Sequence, residues 1–123
     1  MPTSPIADMT NEAILVELCQ NSQRLGAANA TKAILGKSPD WGDCREQVIY
    51  GACYREVASR VPTTVPRRGL DLILDVLCRA FVNMTDVEAA CVRFDQDAAC
   101  HHEPRQIWEE YLRTAEVLMK KPP

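Results

Sequence analysis

Residues 69–84 carry the most apolar pattern in the chain, with polar residues at every fourth position from Asp71 onward. Each residue turns an α-helix by about 100°, so a step of four drifts slowly and leaves one narrow polar stripe. A helix that is apolar on nearly all sides needs neighbours around most of it. The pattern therefore predicts a buried central helix over residues 69–84, with Asp71, Asp75 and Arg79 as its polar stripe.

Two helices are predicted before the central one. Thr10 is typical of a helix N-cap, and apolar residues follow it at spacings of three and four towards Leu35. Ser38 and Pro39 are typical of a second helix start, and this helix should end near Arg60, where prolines follow. The second helix is expected to bury two apolar rows, namely Trp41, Cys44, Val48 and Ala52, and Ile49, Cys53 and Val57.

Two further helices are predicted after the central one. Thr85 and Glu88 match a capping box, which predicts the start of a fourth helix. The last helix has the cleanest 3.6-residue period, with an apolar face of Ile107, Trp108, Tyr111, Leu112, Ala115, Leu118 and Met119. No stretch alternates as a strand would. We therefore expect an all-α, single-domain bundle of about five helices over residues 10–121, with residues 1–9 as a flexible arm.

Charge and length exclude several classes of function. The 123 residues suit one domain, and their net charge is -3 with a pI near 5.4. Nucleic-acid binding requires a basic surface, and no cluster of Lys and Arg in this chain exceeds two in a row. No apolar run reaches the roughly 20 residues that span a bilayer. We expect neither a nucleic-acid partner nor a membrane span.

The six cysteines are candidates for disulfide bonds, with pairing that the sequence leaves open: Cys19, Cys44, Cys53, Cys78, Cys91 and Cys100. Two pairs, Cys44 with Cys53 and Cys91 with Cys100, are nine positions apart, a step that turns a helix by about 900°. The two sulfurs of each pair then lie on opposite sides of a helix, so they should bond to other partners.

The state of the cysteines bears on the compartment. We expect most of them to be paired, which favours an extracellular, periplasmic or mitochondrial intermembrane location. The alternative is a set of small apolar residues in a reduced, cytoplasmic protein. The beginning of the sequence has neither the basic nor the apolar segment of a secretory signal, which supports the second interpretation unless a signal was removed.

Cys100, His101, His102 and Glu103 form the one cluster of soft and borderline metal ligands in the sequence. A structural zinc site needs a second spaced pair of ligands, and the chain has no other histidine. A thiol beside histidine is a possible nucleophile, but neighbours along the backbone rarely face each other. We therefore expect a polar connection between two helices there, without a metal, a cofactor or catalysis.

The sequence favours a non-enzymatic helical module that binds another protein, as an accessory subunit, an inhibitor or an immunity-type protein does. Tyr50 and Tyr54 are the candidate binding surface, because they lie off both apolar rows of the second helix and aromatic residues are enriched at binding hot spots. The alternative is a helical carrier with an internal cavity for a small apolar ligand. A thiol or metal enzyme built on residues 100–103 is the third hypothesis.

Overall fold

The computed structural model describes residues 6–35, 43–93 and 102–119, and for residues 27–35, 43–44 and 102 it describes the backbone alone. Every element in these ranges is helical, which confirms the all-α prediction. A short 3₁₀ turn at Ile6–Asp8 precedes four α-helices, so the expectation of five is wrong for the described ranges. The helices are α1 (Asn11–Leu35), α2 (Asp43–Arg60), α3 (Arg67–Arg93) and α4 (His102–Leu118).

The chain divides into two compact units, Met1–Arg60 and Val61–Pro123. In the N-terminal unit α1 packs against α2, and in the C-terminal unit α3 packs against α4. Each unit is described here by itself. The single domain over residues 10–121 and the flexible arm over residues 1–9 therefore stay predictions.

The N-terminus of α1 has the cap that the sequence predicts. The backbone N–H of Ala13 donates to Oγ1 of Thr10 at 3.1 Å, and the N–H of Ile14 donates to the Thr10 carbonyl at 3.0 Å. These bonds satisfy donors that a helix start otherwise leaves without partners. The predicted start of α2 at Ser38, and Trp41 after it, lie outside the described residues.

The side chain of Arg60, the last residue of α2, contacts three parts of the N-terminal unit. Its Nε donates to Oε2 of Glu56 at 2.9 Å, and its Nη1 donates to Oδ1 of Asn11 at 2.8 Å. Its Nη2 reaches the carbonyls of Ala7 at 3.0 Å and Ile6 at 3.4 Å. One guanidinium therefore links the end of α2, the start of α1 and the 3₁₀ turn, and α1 and α2 run antiparallel.

Helix α3 is longer than predicted, because the fourth helix expected at Thr85 does not exist as a separate element. The hydroxyl of Thr85 donates to the carbonyl of Val82 at 3.0 Å, one turn earlier in the same helix. No glycine or proline lies between residues 70 and 93 to interrupt the backbone ladder. The capping-box residues therefore stand inside one helix that runs from Arg67 to Arg93.

Helix α3 is not enclosed on all sides as the prediction of a central helix requires. It buries one face, while Leu72 and Val76 are exposed. The same correction applies to the first predicted row of α2, because Val48 is exposed. In the second predicted row, Cys53 and Val57 are buried. The buried residues of α3 are Leu70, Leu74, Leu77, Cys78, Phe81, Met84 and Cys91.

Helices α3 and α4 form an antiparallel hairpin. The rings of Phe81 and Trp108 lie 5.6 Å apart, and Glu88 forms an ion pair with Arg105. Later residues of α3 thus meet earlier residues of α4. Pro104 lies in the first turn of α4, where a missing N–H costs nothing. The buried residues here are Trp108, Leu112 and Ala115 in α4 and Met119 directly after it, a subset of the predicted apolar face.

We expect Leu74→Asp to unfold the C-terminal unit and Asp75→Ala to change its free energy of unfolding by less than about 1 kcal/mol. Leu74 is buried, so the variant places an unpaired charge in the core. Asp75 is exposed and forms a surface ion pair with Arg79. Urea denaturation followed by circular dichroism compares the two, and equal stability would show that the α3 core is misplaced.

The arginine network predicts a difference between two ion pairs of the same i,i+4 type. Arg60→Met should lower the free energy of unfolding by about 2 kcal/mol, because it removes four hydrogen bonds from a side chain that is 11% exposed. Arg79→Met should cost less than about 0.5 kcal/mol, because the Arg79 side chain is 80% exposed. Chemical denaturation of both variants measures the two losses in free energy of unfolding. Equal losses would contradict the stabilising role of the Arg60 hydrogen bonds.

Candidate functional site

Tyr50 and Tyr54, the binding residues proposed from sequence, are both half-buried and lie one turn apart on α2. Each takes part in further interactions within the structure, so neither presents an unengaged ring to solvent. Their position agrees with the expectation of partial exposure. Their role in binding stays a prediction.

The polar stripe of α3 is a solvated surface. Nε of Arg79 lies 3.1 Å from Oδ2 of Asp75, and both side chains are mostly exposed. Asp71, one turn earlier, is also exposed. An exposed i,i+4 pair contributes about 0.3–0.5 kcal/mol and forms no enclosed site.

Three of the six cysteines, Cys19, Cys53 and Cys78, are reduced and buried in helical faces. The expectation that most cysteines are paired is therefore wrong, because the remaining three can close only one bridge within a chain. Cys53 is not bonded to Cys44. This agrees with the prediction that a nine-residue helical step keeps the two sulfurs apart. Cys91 is buried and is not among these free cysteines, but Cys100 and the side chain of Cys44 lie outside the description, so the pairing of the three stays a prediction.

The core of the N-terminal unit contains a polar group that sequence reasoning missed. Asn21 is fully buried, and its Nδ2 donates to the carbonyl of Glu17 at 2.8 Å and to Oε1 of Glu17 at 3.2 Å.

Burial, and then the charge of Glu17, raise the pKa of the Cys53 thiol from 9.0 to about 11. A thiol held neutral in this way is a poor nucleophile. Cys53 is therefore a core residue and not a reactive centre.

The cluster at residues 100–103 falls mostly outside the description. Cys100 and His101 lie outside the described residues, the side chain of His102 is not described, and Glu103 is exposed at the start of α4. Among the side chains that the structure describes, no group of three or more His, Cys, Asp and Glu residues is placed to hold a metal ion. The polar-connection interpretation of this cluster stays a prediction.

One flank of α3 carries no charge. Leu72 is 60% exposed and Val76 is 36% exposed, although both are apolar. At about 100° per residue, these side chains belong to a strip whose centre lies about 110° around the helix from the centre of the buried face. The strip is made of Leu72, Ile73, Val76, Ala80, Asn83 and Val87.

Helix α4 has a corresponding uncharged strip. Ile107 and Tyr111 are each 39% exposed, and Leu118 is half-buried. The same helical geometry places this strip about 90° behind the buried face of α4. It consists of Ile107, Tyr111, Thr114 and Leu118.

The two strips lie on the same side of the hairpin. In each helix, the strip is reached by rotating away from the buried face in the same sense, as viewed from that helix's own N-terminus. When two antiparallel helices face each other, this rotation leads to the same side of the pair. We call the surface that they form the uncharged face.

The other side of the hairpin is charged. It includes Asp71 and Asp75 on α3, and the ion pair of Arg113 and Glu116 on α4. A shallow depression of about 430 Å³ lies on α4. It is open and is lined by charged and amide side chains, so it is not the internal apolar cavity that a carrier needs. Its lining residues are Gln106, Glu109, Glu110 and Arg113.

The uncharged face was missed by sequence reasoning because the same residues were taken as core. The signal was present, since apolar positions in residues 69–84 cover more of the helix than one neighbour can bury.

None of the described helices is long and apolar enough to cross a membrane. No protein-family model, curated protein or solved structure matches the chain. The role of this face must therefore be inferred from its own residues.

The raised pKa of Cys53 predicts how stability changes at alkaline pH. Below pH 9 the thiol is neutral in both the folded and the unfolded chain. Between pH 9 and about 11 the unfolded chain ionises while the folded one does not, so this contribution to stability is lost over that range. The loss should reach about 2–3 kcal/mol.

Urea denaturation of the wild-type protein and of Cys53→Ala at several pH values isolates this effect. Other titrating groups are common to both proteins, so the difference between the two curves belongs to Cys53. We expect the free energy of unfolding of the variant to fall less steeply between pH 9 and 11. Parallel curves for the two proteins would contradict the assignment of a neutral, buried thiol.

Proposed function

We propose that this protein is a non-enzymatic interaction module that binds another protein through the uncharged face of its C-terminal hairpin. The observation that carries the proposal is a strip on each helix without a single charged residue, including Leu72, Val76, Ile107 and Tyr111, all of them exposed. Contiguous exposed apolar surface with a polar border is typical of binding sites.

The composition of the uncharged face suits a protein partner. Leucine, isoleucine and valine provide apolar area, and Tyr111 provides an aromatic anchor with a polar hydroxyl. The absence of charge means that a partner need not remove unpaired ions from water when it binds. Asn83 and Thr114 are the polar residues within the face, and the Thr114 hydroxyl donates to the carbonyl of Glu110 at 3.0 Å.

The other hypotheses have less support. A carrier needs an enclosed apolar cavity, whereas the depression on α4 is open and lined by polar groups. A thiol enzyme needs an activated nucleophile, whereas burial keeps Cys53 protonated. Tyr50 and Tyr54 on α2 remain a second candidate surface, but both are half-buried and engaged within the structure.

Site-specific photocrosslinking tests the proposal. A benzophenone amino acid at Tyr111 should give a crosslinked product in extracts of the source cells, while the same group at Glu109, on the charged side of α4, should not. The partner is identified by mass spectrometry and checked by reciprocal capture. Adding Val76→Lys to the Tyr111 probe should abolish the product, because it places a charge in the face.

Circular dichroism should show that the crosslinking variants keep the helical content of the wild-type protein, since the three positions are exposed. Equal crosslinking from the Tyr111 and Glu109 probes, or a product that persists with Val76→Lys, would contradict binding through the uncharged face.

A further inference from the structure

We propose that Cys91 forms a disulfide bond with Cys100, which joins the end of α3 to the segment directly before α4. This inference concerns the hairpin itself and does not depend on the proposed function. Three of the six cysteines are reduced, whereas Cys91 is buried and is not among them. The cysteines that remain as partners are Cys44 and Cys100.

Cys91 lies on the buried face of α3. It follows Leu77 and Met84 at steps of seven residues, and all three are buried. A step of seven drifts by only about 20° around a helix, so the three residues form one row. Cys91 thus extends the row of core residues into the last turn of α3.

Contacts across the hairpin show which part of the chain lies opposite Cys91. Glu88 on α3 forms an ion pair with Arg105 on α4, and the two helices are antiparallel. Cys91 is three residues after Glu88, so it lies at the level reached three residues before Arg105. That level is His102, the first residue of α4. The aromatic ring contact of the hairpin gives the same level to within about one helical turn.

Chain connectivity keeps Cys100 close to this level. Cys100 lies outside the described residues, but only one residue separates it from His102. Two residues of chain span at most about 7 Å, which bounds the distance between the Cα atoms of Cys100 and His102. Facing helices are about 8–10 Å apart, and a disulfide needs Cα atoms within about 7 Å. A displacement of Cys100 towards α3 by part of that reach therefore meets the distance that a bond to Cys91 requires.

The nine-residue step between the two cysteines does not forbid this bond. It separates two sulfurs only when both stand in one regular helix, which was the basis for predicting other partners. The structure instead ends α3 at Arg93 and begins α4 at His102. Cys100 therefore lies beyond the end of the helix that contains Cys91, and the helical step does not apply to the pair.

Cys44 is the alternative partner, and loop length favours Cys100 over it. A bond from Cys91 to Cys100 encloses eight residues, whereas a bond from Cys91 to Cys44 encloses 46. The entropic cost of closing a loop rises with its length. Cys44 also belongs to the other compact unit, at the beginning of α2.

The bond forms by thiol–disulfide exchange with a small-molecule disulfide such as glutathione disulfide, which is the oxidant. The thiolate of one cysteine attacks a sulfur of the oxidant and releases one reduced thiol. The thiolate of the other cysteine then displaces the second thiol from the mixed disulfide. The protein loses two protons and two electrons, and the oxidant becomes two molecules of thiol. Reduction reverses these steps and removes the covalent link between the end of α3 and the segment before α4.

Peptide mapping tests the bond directly, because Arg93 lies between the two cysteines and trypsin cleaves after arginine. The full-length protein is equilibrated in a buffer of oxidised and reduced glutathione, denatured in the presence of iodoacetamide and digested with trypsin. We expect residues 80–93 and residues 94–105 to appear as one disulfide-linked pair of peptides that separates on reduction. The mass of the undigested protein should show four alkylated cysteines, because the other two are bonded.

Single serine variants identify the partner of Cys91. Cys91→Ser and Cys100→Ser should each have five alkylated cysteines, since each substitution frees the other thiol. Cys44→Ser is the matched control and should have three, because it keeps the bond. Dithiothreitol should lower the urea midpoint of the wild-type protein and of Cys44→Ser but leave that of Cys100→Ser unchanged, because the bond restricts the unfolded chain.

Six alkylated cysteines in the wild-type protein would overturn the proposal. A linked pair of peptides that contains Cys44, or five alkylated cysteines in Cys44→Ser, would overturn it as well. None of these results bears on binding through the uncharged face, which the crosslinking experiment tests separately.

Discussion

Pairwise packing of helices is the constraint on which the described structure depends. Each α-helix has a neighbour within its own unit, α1 with α2 and α3 with α4. A helix can bury against one neighbour only the stripe that faces it. In α4 the buried stripe is narrow and the charged residues lie away from it, whereas α3 has more apolar surface than one stripe. The excess becomes the uncharged face, so the candidate site follows from the single helical neighbour that α3 has within its unit.

Signals that act within one helical turn were readable from the sequence. The cap at Thr10 depends on groups three residues away, and its bonds to Ala13 and Ile14 are as the sequence predicts. The end of α2 at Arg60 and the period of α4 were predicted for the same reason. Thr85 shows the limit of such signals. A threonine three residues before a glutamate fits a cap, but it also fits a helix interior, and only a preceding break makes it a start.

Contacts between distant parts of the chain were beyond the sequence. Arg60 binds Asn11 and the carbonyls of the 3₁₀ turn, which lie far away along the chain. Nothing local to Arg60 distinguishes it from Arg79, which has the same i,i+4 partner type but an exposed side chain. Likewise, the outward position of Leu72 and the inward position of Leu74 depend on where α4 packs, which the pattern of residues 69–84 does not specify.

Cysteines that are buried as small apolar residues can be mistaken, in a sequence, for members of a disulfide framework. Cys19, Cys53 and Cys78 occupy buried helical positions where a small apolar residue is needed, and they are reduced. The raised pKa of Cys53 also slows its reaction with oxidants, which attack the thiolate. The cysteine count of this chain is therefore compatible with either redox compartment.

Charge, more than hydrophobicity, makes the uncharged face informative. Single exposed apolar residues such as Val48 and Val92 are normal on a protein surface and need no partner. Leu72 and Val76 differ, because the polar residues beside them within the strip are uncharged and Tyr111 lies on the same side of the hairpin. At the border of the face the charges return, with Arg79 beside the strip of α3 and Glu110 beside the strip of α4. Apolar area alone accepts many partners, whereas a charged border rejects a partner that would place like charges against it, and this combination favours a defined complex over non-specific association.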